Sequence, residues 1–353
     1  MHRIKLFNSP FWTKWGSWEY WPVYITNIPT VLYWLYYALK SRKLFFFSVV
    51  NPVIETGGVL GESKINILRR IPAQYLPKTV FVSRQTPESI ETLLGRLTEA
   101  GINFPLIVKP DIGERGFLVE KLEKPEELEQ YAATMTVDFL VQEFVDSPVE
   151  ISVFYYRMPG AKRGTVSSIC VKEMLCVTGD GQSTVEELME ANPRASLQLE
   201  RFREDHPDML QATLPAGKSQ LLEPIGNHCR GTKFLNGNHH IDDQIRGVFD
   251  TVGMQMDDIY YGRFDMKCDS IEDLRSGKGF KILEFNGVAG EPAHIYDPSY
   301  PIRHAYRDIR RHWGVIYEIS KVQIKKGVVP MSWREAWESI RNYRAYMRKA
   351  SRS

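Results

Sequence analysis

Asp265 in the segment GRFDMKCD (262–269), with Glu284 and Asn286 in KILEFNG (281–287), is the strongest chemical constellation in the sequence. Residues two apart on a strand project from one face, so Glu284 and Asn286 point together, and a short antiparallel pairing sets Asp265 beside them. Two carboxylates and an amide oxygen make a hard, all-oxygen site of the kind Mg²⁺ prefers when it also holds phosphates. Arg263 shares the face of Asp265 and can stabilise charge on a transferring phosphoryl group. The competing reading is a surface strand pair with polar outward faces. It is weaker for Glu284 and Asn286, whose strand runs straight into the glycine-containing loop Gly287–Gly290.

Two further segments add to this set. In PLIVKPDIGERG (105–116), Lys109 ends an apolar strand, and Gly113 and Gly116 follow it. A glycine loop beside a lysine can lay backbone N–H groups against phosphates while the ammonium neutralises them. In FLVQEFVDSPVE (139–150), an apolar strand ends near Glu143 and Glu150 follows seven residues later. Alone, this is a strand, a turn at Ser147-Pro148 and another strand.

The elements that must carry these residues follow from punctuation and periodicity. Leu44–Val50 (LFFFSVV) reads as a buried strand closed by Asn51-Pro52, and Gly57, Gly58 and Gly61 as a loop. Strand KTVFVS leads to a helix capped at Thr86, with Pro87 at its first position and Gly101 as its stop. Strand PLIVKP, a helix opened by Pro125, strand FLVQEFV and the long strands VEISVFYYR and GTVSSICVKEML come next. A helix begins at Ser183 with a Ser183–Glu186 capping box. Further helices are expected at 193–205, 241–252 and 300–325, with strands at 259–268 and 280–286 split by the turn-like SGKG. After a linker near 320–332, a final amphipathic helix carries Trp333, Trp337, Ile340 and Met347 on one side. The fold class is α+β with mixed or antiparallel sheets, without the regular rhythm of a Rossmann domain.

A chain of 353 residues has room for two or three lobes. Its 43% hydrophobic and 25% charged residues are ordinary for a globular protein. Cys170, Cys176, Cys229 and Cys268 lack zinc or CxxC spacing and read as reduced thiols of a cytosolic protein. No secretory leader is expected, and the longest apolar run, Val31 to Leu39, is too short to span a membrane. The overall charge of +2 hides basic ends around an acidic middle: residues 1–48 carry six Lys or Arg against one acid, and residues 321–353 nine against two. Phe11, Trp12, Trp15, Trp18, Tyr20 and Trp21, followed by VLYWLYYAL with Lys40, Arg42 and Lys43, suit either a peripheral contact with the inner face of a membrane or a segment laid on the core. Nothing in the charge pattern calls for nucleic acid, and oligomeric state is not legible.

Taken in order, the segments from about Lys64 to Gly290 resemble the ATP-grasp superfamily, within it D-alanine–D-alanine ligase and the ATP-grasp part of cyanophycin synthetase. The resemblance rests also on Lys64 in GESKINIL, 45 residues before Lys109, and on VTGDGQSTVEELMEAN (177–192), which is similar to a GDG-containing insertion of cyanophycin-synthetase-like ligases. LPAGKSQLLEPIGNHCRGTKF (214–234) resembles a later phosphate loop of the same proteins.

The resemblance implies two lobes clasping ATP, with Mg²⁺ (or Mn²⁺) as metal. Lys64 and Lys109 would cradle the phosphates and the 111–116 loop, with Gly113 and Gly116, would close over them. Glu143, Phe144 and Val145 would face adenine, Glu150 the ribose and Arg230 the γ-phosphate or acceptor. Asp265, Glu284 and Asn286 would hold metal, and Arg263 would act at the transition state. His294 and Arg303 are candidates for the substrate's carboxylate or head group. The implied organisation is an aromatic segment (1–63), an ATP-grasp domain (64–320; nucleotide lobe about 78–150, insertion and metal lobe about 151–320) and a basic C-terminal helix (321–353). The implied activity is ligation of a small or lipid-linked carboxylate to an amine through an acylphosphate. A phosphotransferase and a nucleotide-binding scaffold remain alternatives. The segment before Lys64 is short and aromatic, and the loop GVAGEPAHIYDP departs from D-alanine ligases, so substrate identity does not carry over.

Overall fold

The computed structural model describes Trp18, Trp21 and residues 28–352, apart from Arg115, Ile225, Asn227, His228 and Cys229. The aromatic residues Phe11, Trp12, Trp15 and Tyr20 therefore lie outside the described residues. Eleven strands are described: β1 (Thr79–Val82), β2 (Leu106–Pro110), β3 (Glu120–Leu122), β4 (Phe139–Glu143), β5 (Val149–Tyr156), β6 (Thr165–Glu173), β7 (Cys176–Thr178), β8 (Ser219–Leu221), β9 (Lys233–Asn236), β10 (Tyr261–Cys268) and β11 (Phe280–Asn286). The helices that matter here are α1 (Ile28–Ser41), α2 (Lys64–Leu68), α3 (Ile90–Ala100), α4 (Pro125–Thr134), α5 (Val185–Ala191), α6 (Leu199–Asp205), α7 (Asp243–Met254), α8 (Ile302–Lys325) and α9 (Trp333–Ala350).

Every strand pairing described is antiparallel, so the fold is α+β as expected. A four-stranded sheet, ordered β1-β4-β2-β3, buries one face against α3 and α4 through Leu93, Leu97, Leu128 and Tyr131. A five-stranded sheet, ordered β11-β10-β5-β6-β9, covers Ile151, Val153, Phe264 and Ile282 with Ile245, Phe249 and Val252 of α7. The alternation of strand side chains explains both sheets: one face is apolar and sealed by helices, leaving the other for polar groups. Strands β7 and β8 join α5 and α6 around a separate small core of Val177, Val185, Met189, Leu199 and Phe202.

Four local expectations need correction. Residues 44–50 are not a strand. Phe46–Val49 forms a 3₁₀ turn, with Phe46, Phe47, Val49 and Val50 buried beside α1 and α8, because a short apolar run specifies burial and not period. The helix expected from Thr86 starts at Ile90, where the Ser89 side chain accepts from the Thr92 N–H; its stop at Gly101, in the left-handed region, is as expected. The capping box is Thr184–Glu187 instead of Ser183–Glu186. Asp180 already takes the Ser183 N–H and hydroxyl, leaving Thr184 as the cap. Helix α9 forms, but Trp337 (64% exposed) does not seat it, and Trp333 (73%) adds only an edge-on contact with the Phe45 ring at 5.1 Å. It docks instead through buried Ala350 and through Tyr346, whose Oη accepts from the Ile112 N–H and donates to the Asp138 carbonyl.

The loop before α2 is welded to the five-stranded sheet. Fully buried Asn51 accepts the N–H groups of Tyr260 (2.9 Å) and Tyr261 (3.1 Å) and donates to the carbonyls of Gly57 and Tyr261. Gly58, at φ +86°, lies so close to Gly287 that an added Cβ would stand 2.6 Å from its Cα. The N–H groups of Val288 and Ala289 then bond to Gly57 and Gly58. This backbone contact fixes the end of β11, which carries Glu284 and Asn286. Replacing Asn51 by leucine leaves two buried N–H groups unpaired, at about 1–3 kcal/mol each. Denaturant titration of Asn51→Leu is expected to show a loss of about 2–5 kcal/mol; a loss below about 1 kcal/mol would count against the weld.

Candidate active site

Strand β10 sets Arg263, Asp265 and Lys267 on one face, and all three line a cavity of about 1170 Å³ between the two sheets. Lys64, Lys109, Gly113, Gly116, Glu143, Phe144, Val145, Glu150, Glu284 and Asn286 line it as well. Residues drawn from distant segments thus share one wall. Arg230 does not belong to that wall: its guanidinium donates to the Gly116 carbonyl (2.9 Å) and faces Glu223 (3.6 Å).

Cross-strand register builds the polar face. Asp265 lies opposite Glu284 on one side and Ser152 on the other. Two carboxylates directly opposed repel each other unless cations stand near. Arg263 supplies one, gripping Asp265 through two hydrogen bonds of 2.9 and 3.0 Å. The Ser152 hydroxyl and the Asn286 amide also donate to Asp265. Burial works against the ionised Asp265 carboxylate, but Arg263, Lys172 and these donors overcome it and hold it at about 2. Because the Asn286 amide nitrogen points at Asp265, its oxygen is left for another partner. Glu284 faces Lys64 at 4.0 Å.

Beyond Asp265 a register shift separates β10 from β11, passing from Asp265–Glu284 to Met266–Ile282. The extra residue, Leu283, turns its carbonyl out of the ladder. That carbonyl accepts Lys109 Nζ at 3.0 Å, tying the four-stranded sheet to the five-stranded one, while Gln142 Oε1 accepts at 3.0 Å. Lys109 is buried, and both its bonded partners are neutral. Among the described residues no carboxylate lies within ion-pairing distance of it. Burial brings its ammonium down to about 8, against the pull of Glu284.

Lys64 reaches the site through Asp111, two residues after Lys109. Asp111 accepts the Ile65 N–H at 2.9 Å, its backbone carbonyl accepts the Lys64 N–H, and Ser63 caps α2. The Lys64 ammonium then donates to the Gly113 carbonyl. Glu143 accepts the Lys78 N–H, Lys121 and Lys267 flank the Phe144 ring, and the Val145 carbonyl accepts Lys267 Nζ.

Two cavity residues are not among those the sequence singles out. Lys172 on β6 is buried, ion-paired with Glu150 at 2.8 Å and bonded to the Gly226 carbonyl. Its only sequence signal is a cation alternating with Cys170 and Ser168 in an apolar strand. Glu62 lines the cavity near Lys64, Glu114 and Glu284; burial raises its carboxyl, and Oε2 has no hydrogen-bond partner among the described residues. Conversely, His294 and Arg303 do not line the cavity. His294 is buried between Ser168 (2.7 Å) and Asp308 (3.4 Å), and Arg303 sits exposed on the first turn of α8. Asp180 of the GDG segment closes a turn on the small β7–β8 unit. His228 lies outside the described residues.

No protein-family model and no curated protein matches the chain. Solved structures do resemble it. D-alanine–D-alanine ligase from Bacillus anthracis aligns at 12% identity and TM-score 0.43, over 77% of this chain and 71% of that one. The VanG D-Ala:D-Ser ligase from Enterococcus faecalis aligns at 12% and 0.37, over 78% and 62%. A bifunctional glutathione synthetase from Pasteurella multocida aligns at 11% and 0.36, over 74% of this chain and about a third (36%) of its own.

Glu284 and the Asn286 oxygen are open to a hard cation, whereas Asp265 already accepts four hydrogen bonds and would have to give one up to join them. Among the described residues, no group of three or more His, Cys, Asp or Glu is placed to hold a metal ion. The charge state of Lys109 gives a direct check. Below pH 8 its ammonium is formed and can meet a phosphate; above pH 8 binding must draw a proton onto it. Affinity for a non-hydrolysable Mg·ATP analogue is expected to fall by up to about tenfold per pH unit above 8, and Lys109→Arg should flatten the profile. Lys109→Ala should weaken binding by about 1.5–3 kcal/mol. A calorimetric titration giving an unchanged dissociation constant for that variant would remove Lys109 from the nucleotide site.

Proposed function

We propose that this protein is an ATP-dependent acid–amine ligase of the ATP-grasp type, binding Mg·ATP between its two large sheets. The observation that carries the reading is Lys109: a buried ammonium facing a large cavity, hydrogen-bonded only to neutral oxygens. Buried charges are normally paired, so an anionic ligand is the partner that completes it. Lys64 and the Gly113–Gly116 loop are near enough to share a phosphate chain with it, and Lys172 adds a further cation.

In this reading Glu284 and Asn286 would hold Mg²⁺, with Asp265 exchanging one of its hydrogen bonds for the ion, and the metal would supply positive charge to neutralise the phosphates. Arg263 keeps Asp265 ionised and stands ready to meet charge developing on the transferring group. The carboxylate substrate attacks the γ-phosphorus, ADP leaves, and the acylphosphate gives an amide and phosphate when the amine attacks. Glu143, Phe144 and Val145 receive the adenine, and Glu150 the ribose. Glu62 is well suited to the amine, since an ammonium would supply the partner its Oε2 lacks and the carboxylate could then accept its proton.

The test is ADP release across a carboxylate panel, with and without amines, with hydroxylamine added to trap an acylphosphate as hydroxamate. Glu284→Gln is expected to cut turnover by at least about a hundredfold while leaving the melting temperature in place. ADP formation with alcohols and no hydroxamate would favour a phosphotransferase instead. No turnover with any acceptor, despite tight nucleotide binding, would favour a scaffold.

No helix among the described residues is long and apolar enough to cross a membrane. Peripheral contact is supported by α1, which exposes Ile28, Leu32, Leu35, Tyr36 and Leu39, with Arg42 and Lys43 at its end. Trp18, stacked on Tyr296 at 5.1 Å, and Trp21, on the cavity wall, belong instead to a segment laid on the core. The protein is expected to float with anionic vesicles at low salt and to be released at high salt, basic groups contributing about 1 kcal/mol each. Remaining at the bottom of the gradient at low salt would sink the membrane reading.

A further inference from the structure

The cavity, at about 1170 Å³, lies just above the volumes that small-molecule pockets usually have, about 300–1,000 Å³. Past Asn286 its wall changes character. Val288 leads to Trp313 and Ile316 on α8, then to Trp34 and Val31 on α1 and to Phe47 of the 3₁₀ turn. The titratable group between these rings, His312, is kept neutral: burial pushes it down to about 3, and its Nδ1 is shared with the Tyr261 hydroxyl at 2.9 Å. Arg263, at the boundary, is turned onto Asp265 and the Glu291 carbonyl. The Glu291 side chain is met by the Tyr296 hydroxyl. This half of the cavity therefore presents mainly apolar surface, with its polar groups engaged apart from the Thr30 hydroxyl, which is buried without a hydrogen-bond partner among the described residues. Val31 both lines the cavity and is 46% exposed, on the helix face that also carries Leu32 and Leu35.

We propose that this aromatic half is the carboxylate subsite and that it selects an acyl carboxylate with a long, unbranched apolar chain. The inference deepens the ligase reading and rests on it for the identity of the head group. The carboxylate lies at the Arg263–Asn286 boundary, within reach of the γ-phosphate. The chain runs among the rings towards Val31, where a longer chain continues along the apolar face of α1. A flexible chain fits a wall made mostly of ring faces and branched side chains, and a free amino acid offers that wall far less apolar surface to bury.

Binding is read by quenching of tryptophan fluorescence with dibromostearate, using protein saturated with a non-hydrolysable Mg·ATP analogue, and by competition from hexanoate, decanoate, palmitate and D-alanine. Affinity is expected to rise about fourfold per added methylene, the equivalent of about 0.8 kcal/mol per buried CH₂, until the chain fills the cavity. Val31→Asp, at a part-exposed helix position that tolerates a polar residue, should weaken palmitate at least tenfold, with nucleotide affinity as the check on folding. Hydroxamate trapping with the same acids runs in parallel. Chain-length-dependent binding without hydroxamate upholds the acyl subsite and overturns the ligase reading. Hydroxamate from D-alanine with no chain-length trend, or a folded Val31→Asp protein that binds palmitate as before, overturns the acyl subsite and leaves the ligase reading standing.

Discussion

The buried Arg263–Asp265 pair is the constraint on which the rest of the site depends. An ionised carboxylate in the middle of an antiparallel sheet is stable only with a close cation and a full set of donors. Asp265 has both, from Arg263 on its own strand, Ser152 on β5 and Asn286 on β11. Removing any one leaves a buried lone pair without a partner, so the identities of three neighbouring positions are coupled. The same hydrogen bond that satisfies Asp265 orients the Asn286 oxygen away from it. A structural requirement thereby sets the direction of a prospective metal ligand.

The next row of the sheet repeats the solution in a different form. Lys267, Glu150 and Lys172 are cross-strand neighbours, and the Glu150 carboxylate takes the Lys172 ammonium. Charge therefore alternates across this face, while Lys267 meets only the Val145 carbonyl and the Phe144 ring, and Lys109, reaching in from the opposite sheet and held by neutral oxygens alone, is likewise left without an anion among the described residues. Burial lowers its affinity for a proton, which is the electrostatic sign of a missing counter-ion. Its bond to the Leu283 carbonyl, at the bulge on the edge strand β11, ties the two sheets together beside the cavity.

Two environments meet at Asn286. On one side are buried cations and ionised carboxylates; on the other are tryptophans, a neutral histidine and branched aliphatic side chains. Low dielectric on the apolar side strengthens every charge–charge interaction at the boundary. The weld of Asn51, Gly57 and Gly58 onto Gly287 holds that boundary in place, since the chain leaving β11 cannot move without breaking backbone hydrogen bonds.

The sequence by itself determined seven of the eleven described strands (β1, β2, β4, β5, β6, β10 and β11), most of the helices and the adjacency of Asp265, Glu284 and Asn286. Strand alternation and the short span between β10 and β11 act locally, so residue order alone specifies them. It also marked Lys64, Lys109 and the glycine loop as a set. Only the tertiary structure decided what each charge faces. Lys172 and Glu62 carry no local signal, and they matter because segments far apart in the chain bring them to one wall. His294 sat in a promising loop, yet Ser168 on β6 and Asp308 on α8 draw it away from the cavity. The aromatic half of the cavity was likewise illegible, because Val31, Phe47, Val288 and Trp313 read separately as ordinary core residues. Periodicity tells which side of an element is apolar. Whether that side is filled or left as a binding space is set by the volumes of side chains contributed from elsewhere in the chain.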